Sequence, residues 1–200
     1  MNAALDVSRE TRGRLEGLLA LLERWNRTIN LVAPSTVSDA WSRHVVDSAQ
    51  LHTLAPKADL WVDLGSGAGF PGLVVAILAM EAGTPGRTIL IESDLRKAAF
   101  LQTACRELEI PAKVIAARAE TAEPRGADIV SARALAPLDR LLGLVQRHLA
   151  PGGRAFLPKG ATYRKELDSA QRAWAFTRVV HPSRTDPAAV ILEVGGLRRA

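Results

Sequence analysis

Leu15, Leu18, Leu19, Leu22 and Trp25 recur at helical spacing, with Arg and Glu filling the opposite face. That period predicts an amphipathic helix starting near Ser8, whose hydroxyl suits an N-cap. Val37, Trp41, Val45 and Leu51 predict a second helix after Pro34 and Ser35. Nothing before residue 58 reads as a strong strand. Residues 1–57 are therefore read as a helical N-terminal extension, and residues 58–200 as the main domain.

The period then changes. Leu60-Trp61-Val62-Asp63-Leu64 is a short apolar strand that runs into a glycine turn, and Leu73 to Met80 is an apolar helix. Strands are predicted at Thr88–Glu92, Ala112–Ala116, Asp128–Ala132 and Arg154–Leu157. Helices are predicted at Asp94–Leu108, Leu138–Leu149 and Tyr163–Trp174, the middle one closed by the turn Pro151-Gly152-Gly153. Two more strands fall near Thr177–His181 and Ala189–Val194. Strands alternating with helices predict an α/β, Rossmann-like fold with a mostly parallel seven-stranded sheet. The link Pro182–Pro187 is too short for a crossover helix, so the last two strands should pair as an antiparallel hairpin at one edge.

The segment Asp63-Leu64-Gly65-Ser66-Gly67-Ala68-Gly69-Phe70-Pro71-Gly72 joins a strand to a helix through a glycine-rich turn. Glycines allow positive φ and close backbone approach to a ligand, and a helix N-terminus offers free N–H groups. The spacing is G-x-G-x-G rather than the G-x-G-x-x-G of dinucleotide enzymes. The loop also has a purely structural reading, as a strand-to-helix turn. Glu92 ends the second strand, where a carboxylate can accept from both hydroxyls of a ribose. Ser93 and Asp94 can cap the next helix and line an adenosine pocket. Arg118-Ala119-Glu120 follows the third strand and can face an adenine rim, or simply form a surface salt link. Ser131-Ala132-Arg133-Ala134 follows the fourth strand and Lys159-Gly160 the fifth, which places Arg133 and Lys159 on one rim suited to phosphates. His44 and Asp47 share one helix face.

Charge adds a second clue. Residues 1–112 hold 11 Lys/Arg and 13 Asp/Glu, whereas residues 113–200 hold 15 and 8, so −2 stands against +7. A basic half can attract a polyanion, although solvated surface arginines give the same count. Cys105 is the single cysteine, which excludes an intramolecular disulfide and a thiolate zinc cluster. The four histidines show no ligand spacing, so no metal is expected. No basic patch followed by an apolar run marks the start of the chain, and a cytoplasmic setting is expected.

These segments together resemble the bacterial RsmG family, also called GidB, which methylates guanine N7 in 16S ribosomal RNA. The likeness runs through Asn26, Asn30-Leu31, His44, Asp47-Ser48, the 63–72 turn, Glu92-Ser93, Lys97 and Phe100-Leu101. It continues through Arg118-Ala119-Glu120, Ser131–Ala134 and Lys159-Gly160, and the link Glu81–Gly86 before the second strand is somewhat long. The resemblance implies a class I methyltransferase that uses S-adenosylmethionine. It implies cofactor contacts at Gly65, Phe70, Glu92–Asp94, Ala119, Glu120 and Arg133. Asp63, Gly67 and Gly69 join that set through the turn. Lys97, Arg118, Arg133 and Lys159 are candidates for binding RNA, as 16S ribosomal RNA within a small-subunit particle. Guanine N7 carries a lone pair and no proton, so no general base is required. Two other readings of the same fold stay open: an NAD-dependent oxidoreductase, and a non-catalytic nucleotide- or RNA-binding module. Tyr163 is followed four residues later by Leu167, so the Tyr-x-x-x-Lys pair of many dehydrogenases is absent.

Overall fold

The computed structural model describes residues 5–55, 57–83 and 86–200. Thr84 and Pro85 of the long link, and residues 1–4, lie outside the described residues. Helix α1 spans Arg9–Asn26, and the Ser8 hydroxyl accepts from the Thr11 amide at 3.1 Å as its cap. The single helix expected after Pro34 is three pieces: a 3₁₀ turn at Pro34–Asp39, a π-helix at Trp41–Val46 and helix α2 at Asp47–Leu54. Periodicity alone cannot register such changes of pitch.

Seven strands follow: β1 Leu60–Leu64, β2 Arg87–Glu92, β3 Ala112–Ala116, β4 Ala127–Ser131, β5 Leu149–Lys159, β6 Trp174–Pro182 and β7 Val190–Arg199. They form one sheet in the order β3-β2-β1-β4-β5-β7-β6. The first five are parallel, and β7 pairs antiparallel with both β5 and β6. The edge hairpin is thus as the short link requires. Helices α3 Gly72–Glu81, α4 Leu95–Glu107, α5 Leu138–His148 and α6 Tyr163–Ala170 cover the faces. Several strand and helix ends shift by a few residues from the sequence reading, β7 running on to Arg199, and two of the shifts have a plain cause. Pro151-Gly152-Gly153 is a bulge inside β5, where pairing with β4 jumps from Ala127↔Leu149 to Ile129↔Arg154. Trp174 leaves the α6 helix and opens β6, because its buried indole donates to the Asp139 carbonyl at 2.9 Å.

The core lies on both sheet faces. Leu15, Leu18 and Leu22 of α1 share one apolar cluster with Leu73 and Ile77 of α3 and Phe100 and Leu101 of α4. The amphipathic stripe of α1 is therefore buried on the main sheet's own helices. Val62, Val130, Leu141, Leu142 and Val145 anchor the cluster on the other face. Among the described residues no helix is long and apolar enough to cross a membrane.

Candidate active site

Parallel pairing of β1, β2 and β3 brings their carboxyl ends to one sheet edge. In an open α/β sheet this edge is where ligands bind. The turn after β1 has Gly65, Gly67 and Gly69 at φ of 64°, 55° and 85°, values that suit glycine. The Gly65 amide donates to the Ile91 carbonyl at 2.8 Å, which ties the turn to β2. A Cβ on Gly65 would stand 2.5 Å from Leu135 Cδ1.

Glu92 is buried, and its two oxygens accept from the Gly67 amide and the Asp94 amide, each at 2.8 Å. A carboxylate has about four lone-pair sites, so acceptor capacity remains for ribose hydroxyls. Asp94 caps α4, accepting from the Arg96 amide at 2.8 Å and the Lys97 amide at 3.3 Å. The Lys97 amide, foremost, holds the Asp94 carboxyl below the usual carboxylate range. Ser93 is exposed beside it. The residues present thus fit an adenosine sugar: fixed acceptor, open glycine backbone, and a helix N-terminus.

Asp63 has different surroundings from the open cleft. It is buried; Oδ1 accepts from Ser131 Oγ at 2.6 Å and Oδ2 from the Gly72 amide at 3.3 Å. Ser131 Oγ in turn accepts from the Trp61 indole at 2.8 Å. Burial pushes the Asp63 carboxyl up to about 6, against the pull of Ser131, Ser66 and Gly72. Asp63 therefore pins the start of α3 and the end of β4 to β1.

Ala119 is buried and Arg118 and Glu120 are exposed. The Ala119 carbonyl accepts from His148 Nε2 at 2.9 Å, and the Ala122 carbonyl from Arg147 Nη2 at 2.8 Å. The end of α5 thus fixes the segment after β3.

Arg133 is tied to the N-terminal extension. Its guanidinium lies 3.6 Å from Asp47 and donates to the Arg43 carbonyl at 3.3 Å. It also donates to His44 Nδ1 at 3.3 Å and sits 5.4 Å over the Phe70 ring. Because arginine only donates, His44 Nδ1 is the acceptor and Nε2–H donates to Thr36 Oγ1 at 3.1 Å. Burial, then Arg133 and Arg43, lowers the His44 pKa to about 4. The neutral His44 ring stacks on Phe70 at 5.0 Å. Phe70 is buried between the two.

A cleft of about 720 Å³ adjoins this cluster, lined by Asp47, Arg133, Leu135, Pro158, Lys159 and Ile191 among others. Asp47 also accepts from Thr185 Oγ1 at 2.7 Å, so the β6–β7 link closes one wall. Lys159 is mostly buried and paired, to Glu166 at 2.8 Å and the Ala136 carbonyl at 3.2 Å. Arg133 and Lys159 do share this cleft, but Lys159 is engaged within the protein. Lys97 and Arg118 lie outside it.

The description "rRNA small subunit methyltransferase G", GidB, matches residues 12–187. The chain belongs to the GidB family. A ribosomal RNA small subunit methyltransferase G of Cereibacter sphaeroides is 52% identical over 98% of this chain and 95% of that relative. GidB membership removes the dehydrogenase alternative. A TehB-like SAM-dependent methyltransferase from Corynebacterium glutamicum is 14% identical over 93% of this chain and all of that one, with a TM-score of 0.59. Aeropyrum pernix fibrillarin with natively bound S-adenosyl-L-methionine is 20% identical over 77% of this chain and 75% of that one, with a TM-score of 0.57. These two likenesses show the fold of a class I S-adenosylmethionine-dependent methyltransferase.

The sequence reading of this GidB chain missed two residues. Leu135 is an exposed apolar residue over Gly65, and Leu95 is 72% exposed at the first position of α4, directly after the Glu92–Asp94 segment. Leu135 in the loop after β4 and Leu95 in the first turn of α4 are apolar at exposed positions where polar residues are the rule, a signal that was available. Ala134, at φ 54°, is a strained non-glycine position between Arg133 and Leu135 that carried no sequence signal.

Proposed function

We propose that this chain transfers the methyl group of S-adenosylmethionine to N7 of a guanine in 16S ribosomal RNA. The observation that carries the reading is the Glu92 carboxylate held by the Gly67 amide at the carboxyl end of β2, with Gly65 of the same turn in contact with Leu135, which lines the cleft of about 720 Å³. GidB membership supports the substrate class. S-adenosylmethionine, when bound, supplies an electrophilic methyl on a sulfonium. Glu92 would hold the ribose, the Gly65–Gly69 backbone would admit the amino-acid end, and the segment Arg118–Glu120 would border the adenine. Leu135, against Gly65 and in the cleft wall, would border the place where donor and acceptor meet.

N7 is already a nucleophile, so the residues of the cleft need only align it and exclude water. Arg133 would act from the wall, held in one pose by Asp47, His44 and Phe70. Residues 1–57 complete the cleft in this reading, because His44 and Asp47 come from that extension. The exposed Arg118 and the half-buried Lys97 are the RNA-contact candidates with open approach. A small-subunit particle is the proposed substrate form, since a base must be splayed from exposed RNA to present N7. The proposed setting is the cytoplasm.

The test is tritiated methyl transfer to small-subunit RNA from a strain lacking this enzyme, as free RNA and as particles, followed by mapping of the product nucleotide. Label at a single guanine N7 is the expected result. Label on another atom, or none with either substrate, overturns the reading and leaves a binding module.

A further inference from the structure

The connection from β3 to β4 contains no helix; residues 117–126 pass between them as turns and irregular chain. Crossover helices normally cover the strands beside them. Here one face of β2 and β3 is left bare near their amino-terminal ends. Strand alternation identifies that face. Leu90, Ala112 and Val114 pack toward α1, α3 and α4. Arg87, Ile89, Lys113 and Ile115 therefore point the other way, with Lys113 opposite Ile89 in the ladder. Ile89 and Ile115 are only partly buried.

A cavity of about 550 Å³ opens on this face, with walls that include Leu60, Ile89 and Pro124. Its charged lining residues are Arg87, Lys113 and Arg125, and no carboxylate lines it among the described residues. None of the three is in an ion pair among the described residues. The buried Arg125 Nε has no hydrogen-bond partner. Three cations around a hollow, without an acid, attract an anion. Their spread over two strands and a loop fits a chain of phosphates better than one.

We propose that this bare face is a second RNA contact, in which Arg87, Lys113 and Arg125 bind phosphodiesters of the substrate. It rests on the RNA-methyltransferase reading above. Arg87 and the cofactor-side Glu92 are the two ends of one strand, about 16 Å apart at ~3.3 Å per residue. One RNA surface can therefore reach both ends of β2.

The experiment compares the unmodified chain with the double variant Arg87→Gln/Lys113→Gln. Both residues are exposed, so the fold should tolerate the change. Arg106→Gln/Arg172→Gln, exposed and elsewhere, is the charge-matched control. Binding of a small-subunit RNA transcript is measured against salt by fluorescence anisotropy, and S-adenosylmethionine binding by calorimetry. Loss of two phosphate contacts should reduce the log–log salt slope by roughly 1.5 and weaken RNA binding several-fold. Cofactor affinity should be unchanged. A slope equal to that of the control overturns the proposal. So does an unchanged slope with loss of polyglutamate binding, which would assign the face to an acidic protein segment. A changed slope in a chain that methylates no RNA would retain this contact and remove only the catalytic reading.

Discussion

Asp63 accepts a 2.6 Å hydrogen bond from Ser131 across the β1–β4 pair, with no water-facing atom to relieve its charge. His44 is the opposite case: a base held neutral by burial and then by Arg133. The two have opposed pH signatures. The folded Asp63 titrates at about 6 rather than 3.8, so the folded state holds its proton more tightly than the unfolded. Its contribution is full below about pH 4 and is lost as pH rises through 6. The folded His44 titrates at about 4 rather than 6.5, so its contribution is full above 6.5 and is lost as pH falls toward 4. Each shift corresponds to about 3 kcal/mol at most. We predict that His44→Gln lowers the dependence on neutral pH, its stability falling as pH rises from 4 to 6. Asp63→Asn should do the reverse. Calorimetric unfolding at pH 4, 5, 6 and 7 checks this; parallel profiles for both variants refute it.

Gly65 combines φ 64° with a side chain, Leu135, against the place a Cβ would occupy. Gly65→Ala should cost about 1–2 kcal/mol from the left-handed backbone alone and weaken S-adenosylmethionine binding at least tenfold. Leu135→Ala added to Gly65→Ala should relieve the clash but not the backbone cost, restoring part of the melting temperature. Thermal shift with and without cofactor reads both effects. Full restoration by the second change would mean that the backbone conformation is unimportant.

How much of this was legible in advance follows the physics of each signal. The alternation of strand and helix, the parallel sheet and the terminal hairpin came from period and link length, and all appear in the structure. The three-way break at residues 34–54 did not, because 3₁₀, π and α pitches share the same apolar spacing over one or two turns. Trp174 read as the end of the helix that starts at Tyr163; α6 stops at Ala170, and the indole's tertiary hydrogen bond to Asp139 sets Trp174 at the start of β6. At the site, Glu92 and the glycines were readable as strand-end chemistry. Lys159 read as an open phosphate ligand, since its partner Glu166 lies seven residues on, across a turn that no pattern specifies. The bonds of Arg133 to residues 43–47 are contacts across some 90 positions, which a single sequence does not reveal.

Lys159 and Glu166 give a direct measure of that pairing. Their side chains are 9% and 24% exposed, and Glu166 also accepts from the Leu138 amide at 3.0 Å. Glu166→Leu leaves a lysine charge nearly buried without its partner, and should destabilise the fold toward the ~3 kcal/mol low end for broken buried pairs. Lys159→Met combined with Glu166→Leu should recover most of that loss. Denaturant unfolding of the singles and the double forms the cycle. Additive effects would show that the pair is not coupled.

Arg133 makes the last case, because its role can be separated from its charge. Its planar fork faces Asp47, the Arg43 carbonyl, His44 and the Phe70 ring at once. Lysine keeps the charge but cannot make the fork or the stacking contact. Removal of one charged hydrogen-bonding group is worth about 1.5–3 kcal/mol, which is about 10- to 100-fold in kcat/KM for RNA. Arg133→Lys should therefore lose nearly as much as Arg133→Ala. Asp47→Asn should lose less, since Arg43 and His44 still hold the guanidinium. Methyl-transfer kinetics under varied RNA and varied cofactor resolve the two substrates. Near-normal rates for Arg133→Lys would mean that charge alone matters and that the clamp from the N-terminal extension has no part in catalysis.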